Sequence, residues 1–293
     1  MNQCRLFVTA RKPEANHIAS ILDPFLEDEG VPAALFEDDA NPGNWCYSAY
    51  VPASEKDEWI TRLQDRLGSD GFGLTFEEEL IDDDVDWIDA TLRELAPVRA
   101  ARFVVHGSHD RNAAKTAAVA IEIDAGQAFG TGHHGTTAGC LVLLETVLRR
   151  RTPRTALDIG TGSGVLAIAL AKAARVPVLA TDIDPVATKT ARINAQLNGV
   201  RNHVSFETSI GFNHPIFRKT EPADLIFANI LARPLEALAC QMRCHAAFGA
   251  DIILSGLLPH QQSRVVATYR EHGFTFRRRL IRDGWLSLLL TAQ

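Results

Sequence analysis

No apolar run in the 293 residues approaches the roughly 18–20 consecutive apolar residues a membrane-spanning helix needs. The opening stretch, MNQCRLFVTARK, lacks the charged-then-apolar organisation of a secretory signal. A cytoplasmic protein with no membrane partner is expected. Cysteine is scarce: Cys4, Cys46, Cys140, Cys240 and Cys244 are scattered, show no legible disulfide framework and fit a reducing compartment. Cys240, Cys244 and His245 could suggest a metal, but no second ligand pair accompanies them. One helical turn separates the two cysteines, which also suits a packed face, and no metal is expected. There is no sequence repeat or low-complexity segment. The Gly-Lys-Ser/Thr of a phosphate loop is missing, as is the third glycine of the dinucleotide fingerprint, whose place Val165 takes.

Basic residues are few in the first third. Residues 1–97 hold 22 acidic and 7 basic side chains, a net of −15, whereas residues 98–293 hold 14 acidic and 23 basic, a net of +9. An acidic first domain repels nucleic acid and steers a basic protein toward itself.

What is there reads as two domains. RLFVTA alternates as a strand, and PEANHIASILDPFLEDEG has helical spacing, with Pro13 in its first turn and Gly30 as its stop. AALFEDD and WCYSAYVP are strands around the turn signal Asn41-Pro42-Gly43. SEKDEWITRLQDRLG is a second helix with Ser54 as N-cap, and FGLTFEEELI, residues 72–81, closes as a strand. This βαββαβ order predicts a small ferredoxin-like α+β domain over residues 1–82. An acid-rich linker helix is expected over 83–97. From residue 98, RFVVHG and VAIEIDAG are strands leading to the loop AFGTGHHGTT; after it strands and helices alternate, which predicts a doubly wound α/β domain over 98–293.

LDIGTGSGVLAIALAK is strand, glycine turn, helix. Gly160, Gly162 and Gly164 let a ligand approach the backbone closely, at the carboxyl end of a parallel strand. A glycine-x-glycine-x-glycine turn after a strand bearing an acid, Asp158, looks like that of S-adenosylmethionine methyltransferases. Asp182 ends the next strand, 22 residues after Gly160, where a carboxylate can accept both ribose hydroxyls. A second turn carboxylate is the plainer role. Asp184-Pro185 reads as N-cap and first helical residue. Asn229 ends the fourth strand, beside the glycine turn, where amine methyltransferases often carry Asn-Pro-Pro-Tyr. Here the sequence is Asn-Ile-Leu-Ala, with the asparagine kept and the aromatic absent. Capping of the following helix is its alternative role.

AFGTGHHGTT, LDIGTGSGVLAIA, ATDIDP and ANILARPL, in that order behind a ferredoxin-like module, closely resemble the PrmA family of class I S-adenosylmethionine-dependent methyltransferases. The resemblance covers the whole chain. It implies a Rossmann-like catalytic domain, S-adenosylmethionine as cofactor, and a basic protein partner, ribosomal protein L-eleven, free or on the large subunit. The implied products are trimethylated lysines and a trimethylated N-terminal α-amine. Another basic protein, such as an electron-transfer subunit, is the alternative substrate. No direct nucleic-acid specificity and a monomer are expected. Carried over by position, the cofactor contacts are Thr137, Gly160, Asp182 and Asn229, with Gly162 and Asp158 beside them. The family pattern also brings the loop of Phe129, Gly130 and Gly132 over the cofactor. Thr136 and Thr137 offer hydroxyls and helix-start N–H groups to its carboxylate. His133 and His134 are assigned helix-start polar contacts, and Gly135 no role. Asn229 is the expected catalytic residue, orienting the amine lone pair.

Overall fold

The computed structural model describes residues 3–29, 31, 33–38, 41, 43–68, 73–81, 97–115, 117–123 and 134–293. Two compact units divide at 86/87. The expected linker helix lies almost wholly outside the described residues, as does Gly30. No helix among the described residues is long and apolar enough to cross a membrane.

The first unit contains β1 (Gln3–Arg11), α1 (Lys12–Glu29), β2 (Ala33–Glu37), β3 (Asn44–Pro52), α2 (Lys56–Leu67) and β4 (Glu77–Ile81). The antiparallel sheet runs β2-β3-β1-β4, the ferredoxin-like order. Strand alternation buries Cys4, Leu6, Val8 and Ala10 of β1 against Ile18, Leu22 and Leu26 of α1 and Trp59 and Leu63 of α2. Two local expectations are corrected. Ser54 does not cap α2: a 3₁₀ turn over Ala53–Glu55 leads into the helix, so Glu55 stands at the cap position. Glu55 instead accepts the Trp59 indole N–H at 3.4 Å. The closing strand is also shorter than the 72–81 expected, because β1 pairs it only from Glu77 to Ile81.

The second unit contains β5 (Val98–Ala100), β6 (Phe103–His106), the short α3 (Arg111–Ala114), β7 (Val119–Glu122) and α4 (His134–Leu148). Then come β8 (Ala156–Ile159), α5 (Val165–Ala174), β9 (Val178–Asp182), α6 (Pro185–Leu197), β10 (Val204–Thr208) and β11 (Ala223–Asn229). The chain ends with α7 (Ala232–His245), β12 (Ala246–Leu257), α8 (Gln262–Glu271), β13 (Phe274–Arg282) and β14 (Trp285–Ala292). The main sheet runs β10-β9-β8-β11-β12-β14-β13. Its first five strands are parallel; β14 runs antiparallel to β12, and β13 pairs antiparallel to β14.

One core lies beneath Leu141, Leu144 and Val147 of α4 and Ile168 and Leu170 of α5. The other lies beneath Leu235 and Met242 of α7 and Val265 and Tyr269 of α8. The sheet is therefore covered on both faces, as strand–helix alternation implies. Strands β5 to β7, which precede the alternating part, stand apart from the main sheet. They form a separate three-stranded sheet, and Phe103, Val119 and Ile121 pack into the core that α4 and α5 share.

Candidate active site

The parallel strands aim their carboxyl ends in one direction, and the site is built there. At the tip of β8, Asp158 is buried. Its Oδ2 accepts the Thr161 hydroxyl at 2.7 Å and the Ala167 N–H, inside α5, at 3.2 Å. One carboxylate oxygen thus holds the glycine turn to the helix that follows it. Oδ1 is equally buried and has no hydrogen-bond partner among the described residues. Burial pushes the Asp158 carboxyl up to about 6, against the counter-effect of its two hydrogen bonds.

The turn itself needs glycine at Gly160. Its φ of +72° is left-handed, and a Cβ there would stand 2.3 Å from Cγ2 of Ile230. The N–H groups of Gly160 and Thr161 both donate to the Thr181 carbonyl of β9, at 2.8 and 2.9 Å. The Gly162 N–H donates to Oδ2 of Asp182 at 2.8 Å, and Asp184 N–H donates to Oδ1 at 3.0 Å. Asp182 is therefore a turn carboxylate that stitches the tips of β8 and β9 together. A carboxylate offers about four lone-pair sites, so both oxygens keep acceptor capacity. Asp184 caps α6 by accepting the Val186 N–H at 2.8 Å, as its position before Pro185 implies.

Asn229 ends β11, which pairs with β8, so the asparagine and the glycine turn leave neighbouring strands. It does not cap α7, whose N-cap is Leu231 with no side-chain bond. Its Nδ2 instead donates to Oγ1 of Thr136 at 3.4 Å. Thr136 and Thr137 are buried in the first turn of α4. The structure thus brings Gly160, Gly162 and Asp182 into one hydrogen-bonded group and Asn229 and Thr136 into another, joined by β8–β11 pairing. Phe129, Gly130, Gly132 and His133 lie outside the described residues.

The sequence profile of the family described as ribosomal protein L11 methyltransferase (PrmA) matches residues 18–293. The chain is 49% identical, over 99% of both chains, to the ribosomal protein L11 methyltransferase of Mesorhizobium japonicum. It is 48% identical to that of Sinorhizobium fredii, over 99% of this chain and all of that one. The solved ribosomal protein L11 methylase of Lactobacillus delbrueckii subsp. bulgaricus superimposes with a TM-score of 0.61 at 27% identity, covering 68% of this chain and all of the other.

The chain belongs to the ribosomal protein L11 methyltransferase family.

In this member of the family, other residues shape the site that motif reading passed over. Ser255 lies in β12 opposite Asn229, and its Oγ reaches the Thr136 carbonyl at 3.4 Å and Oγ of Ser287, on β14, at 2.8 Å. Gly139 allows this seat: a Cβ would lie 2.2 Å from Oγ of Ser287. Gly135, one turn earlier, has a role after all, since a Cβ there would lie 2.7 Å from the Arg282 carbonyl. The signal was the four-residue spacing of Gly135 and Gly139, which puts both on one helical face. Far from the site, Cys240 and Cys244 are exposed rather than packed, and His245 stacks on Phe212 with ring centroids 4.7 Å apart.

Proposed function

We infer that this chain is an S-adenosylmethionine-dependent, cytoplasmic protein methyltransferase. In this reading it trimethylates lysine side chains and the N-terminal α-amine of ribosomal protein L11. The observation that carries the reading is the tying of the β8 and β9 tips through Asp182 and of the β11 tip to the first turn of α4 through Asn229, in a chain about half identical to relatives named as ribosomal protein L11 methyltransferases.

The residues present fit the cofactor. Its ribose diol calls for a carboxylate with spare lone pairs, and Asp182 has them. Its methionine end carries an amine and a carboxylate. The helix-start N–H groups near Thr137 suit an anion. Gly160 and Gly162 keep side chains from the approach. The bound cofactor supplies a methyl group on a sulfonium, open to attack by an amine.

The chain's own residues must present that amine uncharged and aligned. A lysine with pKa near 10.4 is neutral in only roughly 0.04% of molecules at pH 7. Desolvation at the strand tips favours the neutral form. Asn229 orients it: with Nδ2 donating to Thr136, Oδ1 is the atom that faces an incoming N–H as acceptor. Fixing that lone pair in line removes an entropic barrier. No dedicated base is needed if the proton leaves to water before attack.

The acidic first unit recognises the basic protein substrate. The test is mass spectrometry of ribosomal proteins from cells with and without this chain. Loss of trimethyl masses on L11 alone is the expected result. An unchanged L11 with altered masses on another basic protein would move the assignment to that protein.

A further inference from the structure

The amino ends of the parallel strands, opposite the site, carry a second constructed surface. Helix α4 has Thr136 in its first turn, at the site, and runs to this far end, where Arg149, Arg150 and Arg151 follow its last turn. Arg154 lies just before β8. Two carboxylates lie underneath. Asp251, only 3% exposed, accepts Arg150 at 2.8 Å and Arg151 at 2.9 Å. Asp224 accepts Arg154 at 3.0 Å. Arg151 also donates to the carbonyls of Asp224 and Gly249, each at 3.0 Å, which ties the start of β12 into the same patch. Phe248, next to Gly249, is 88% exposed, more than any other large apolar side chain among the described residues.

The carboxylates orient the guanidinium groups from below and hide their own oxygens. Solvent therefore meets arginine and one aromatic ring. The Arg149 side chain is 78% exposed and that of Arg154 is 84% exposed. Arg149 spends only its Nε on Glu145, and Arg150 and Arg154 leave Nη1 without a protein hydrogen bond among the described residues. The helix dipole accounts for cations after α4. It accounts neither for Arg154 nor for the bare phenyl ring of Phe248, one residue along the chain from the Gly249 carbonyl that accepts Arg151.

Forked guanidinium donors match phosphate oxygens, and an exposed ring gives a base a face on which to stack. An acidic peptide would use the first property and leave the second idle. We propose that this end of the catalytic unit docks single-stranded RNA, gripping phosphates through Arg149, Arg150 and Arg154 and stacking a base on Phe248. Such a grip reads no sequence. It belongs to the unit in which residues 98–293 carry net +9, and it leaves the opposite end open for chemistry. The choice of RNA rests on the reading of the chain as a modifier of a ribosomal protein.

The test is fluorescence anisotropy of the full chain with a labelled oligouridine across a salt series, in parallel with methylation of free L11. The wild type should bind, with affinity falling linearly in log salt. Phe248→Ala should weaken binding about fivefold or more without changing the salt slope, as loss of one stacked base does. Arg149→Gln should reduce the slope by about one. Both variants should methylate free L11 at the wild-type rate, so failure of the docking idea and failure of the methylation reading give different patterns. The proposal is overturned by absence of binding at about 50 mM salt, by indifference to Phe248→Ala, or by equal displacement with polyglutamate. That last outcome would mark an acidic protein partner instead.

Discussion

Asn229 is where packing meets the proposed chemistry: its Nδ2 is committed to Thr136, and the proposed function assigns its Oδ1 to the substrate amine. Asn229→Ala should lower kcat by roughly 100-fold, the scale on which misalignment of reacting groups acts. Loss of one neutral hydrogen bond would weaken S-adenosylmethionine binding only about fivefold. Single-turnover kinetics beside calorimetry would separate the two, and the reverse ranking would remove the orienting role. Asp158 gives a pH prediction. Its carboxyl titrates near 6 in the fold against an ordinary 3.8, so the folded state holds a proton through that window while the unfolded chain has released it. Stability from this group is therefore present at low pH and lost as pH rises from about 4 to 6. Asparagine stays neutral throughout. In the cofactor-free protein, the Tm of Asp158→Asn relative to wild type should be more favourable at pH 7.5 than at pH 5, by calorimetry. A difference independent of pH would mean that the buried carboxyl does not titrate there. At this scale the sequence was most legible where the partner is near in the chain: Asp184 caps α6 through a residue two positions on. For Asp182, ribose acceptor and turn carboxylate stood as alternatives. The structure shows the turn bonds, and they leave room for the other role.

Among the elements, α4 bears the tightest constraint, since its glycines let it sit directly on β14. Gly139→Ala would drive a methyl against Ser287, which is buried, and overpacking of this kind costs about 1–3 kcal/mol. Urea denaturation should show a lower midpoint for the single variant and partial recovery in Gly139→Ala/Ser287→Ala, where the nearer clash is gone. Strict additivity of the two substitutions would refute the contact. This seat was illegible in the sequence because its two sides are 148 positions apart and neither carries a motif. The doubly wound sheet, by contrast, follows from alternation that any reader can count. What alternation did not show was that β5, β6 and β7 leave it for a sheet of their own, since three- and four-residue strands look alike wherever they pair. The Ser54 cap failed for a related reason: a 3₁₀ turn costs little and moved the helix start past it.

At the scale of the whole molecule, each unit has its own core, so the two can be separated. A chain lacking residues 1–80 should still bind S-adenosylmethionine by calorimetry but fail to methylate L11; full activity of that truncation would withdraw the recognition role from the first unit. The order of the main sheet carries a different consequence. β14 is threaded between β12 and β13, with Leu286, Leu288 and Leu290 fully buried. During synthesis, a nascent chain halted anywhere before Trp285 holds β13 with no neighbour and an open seam along β12. The catalytic fold therefore zips shut late, after nearly all of it has left the exit tunnel. A stop codon in place of Gly284, which removes β14, should yield an insoluble product rather than a slightly shortened enzyme.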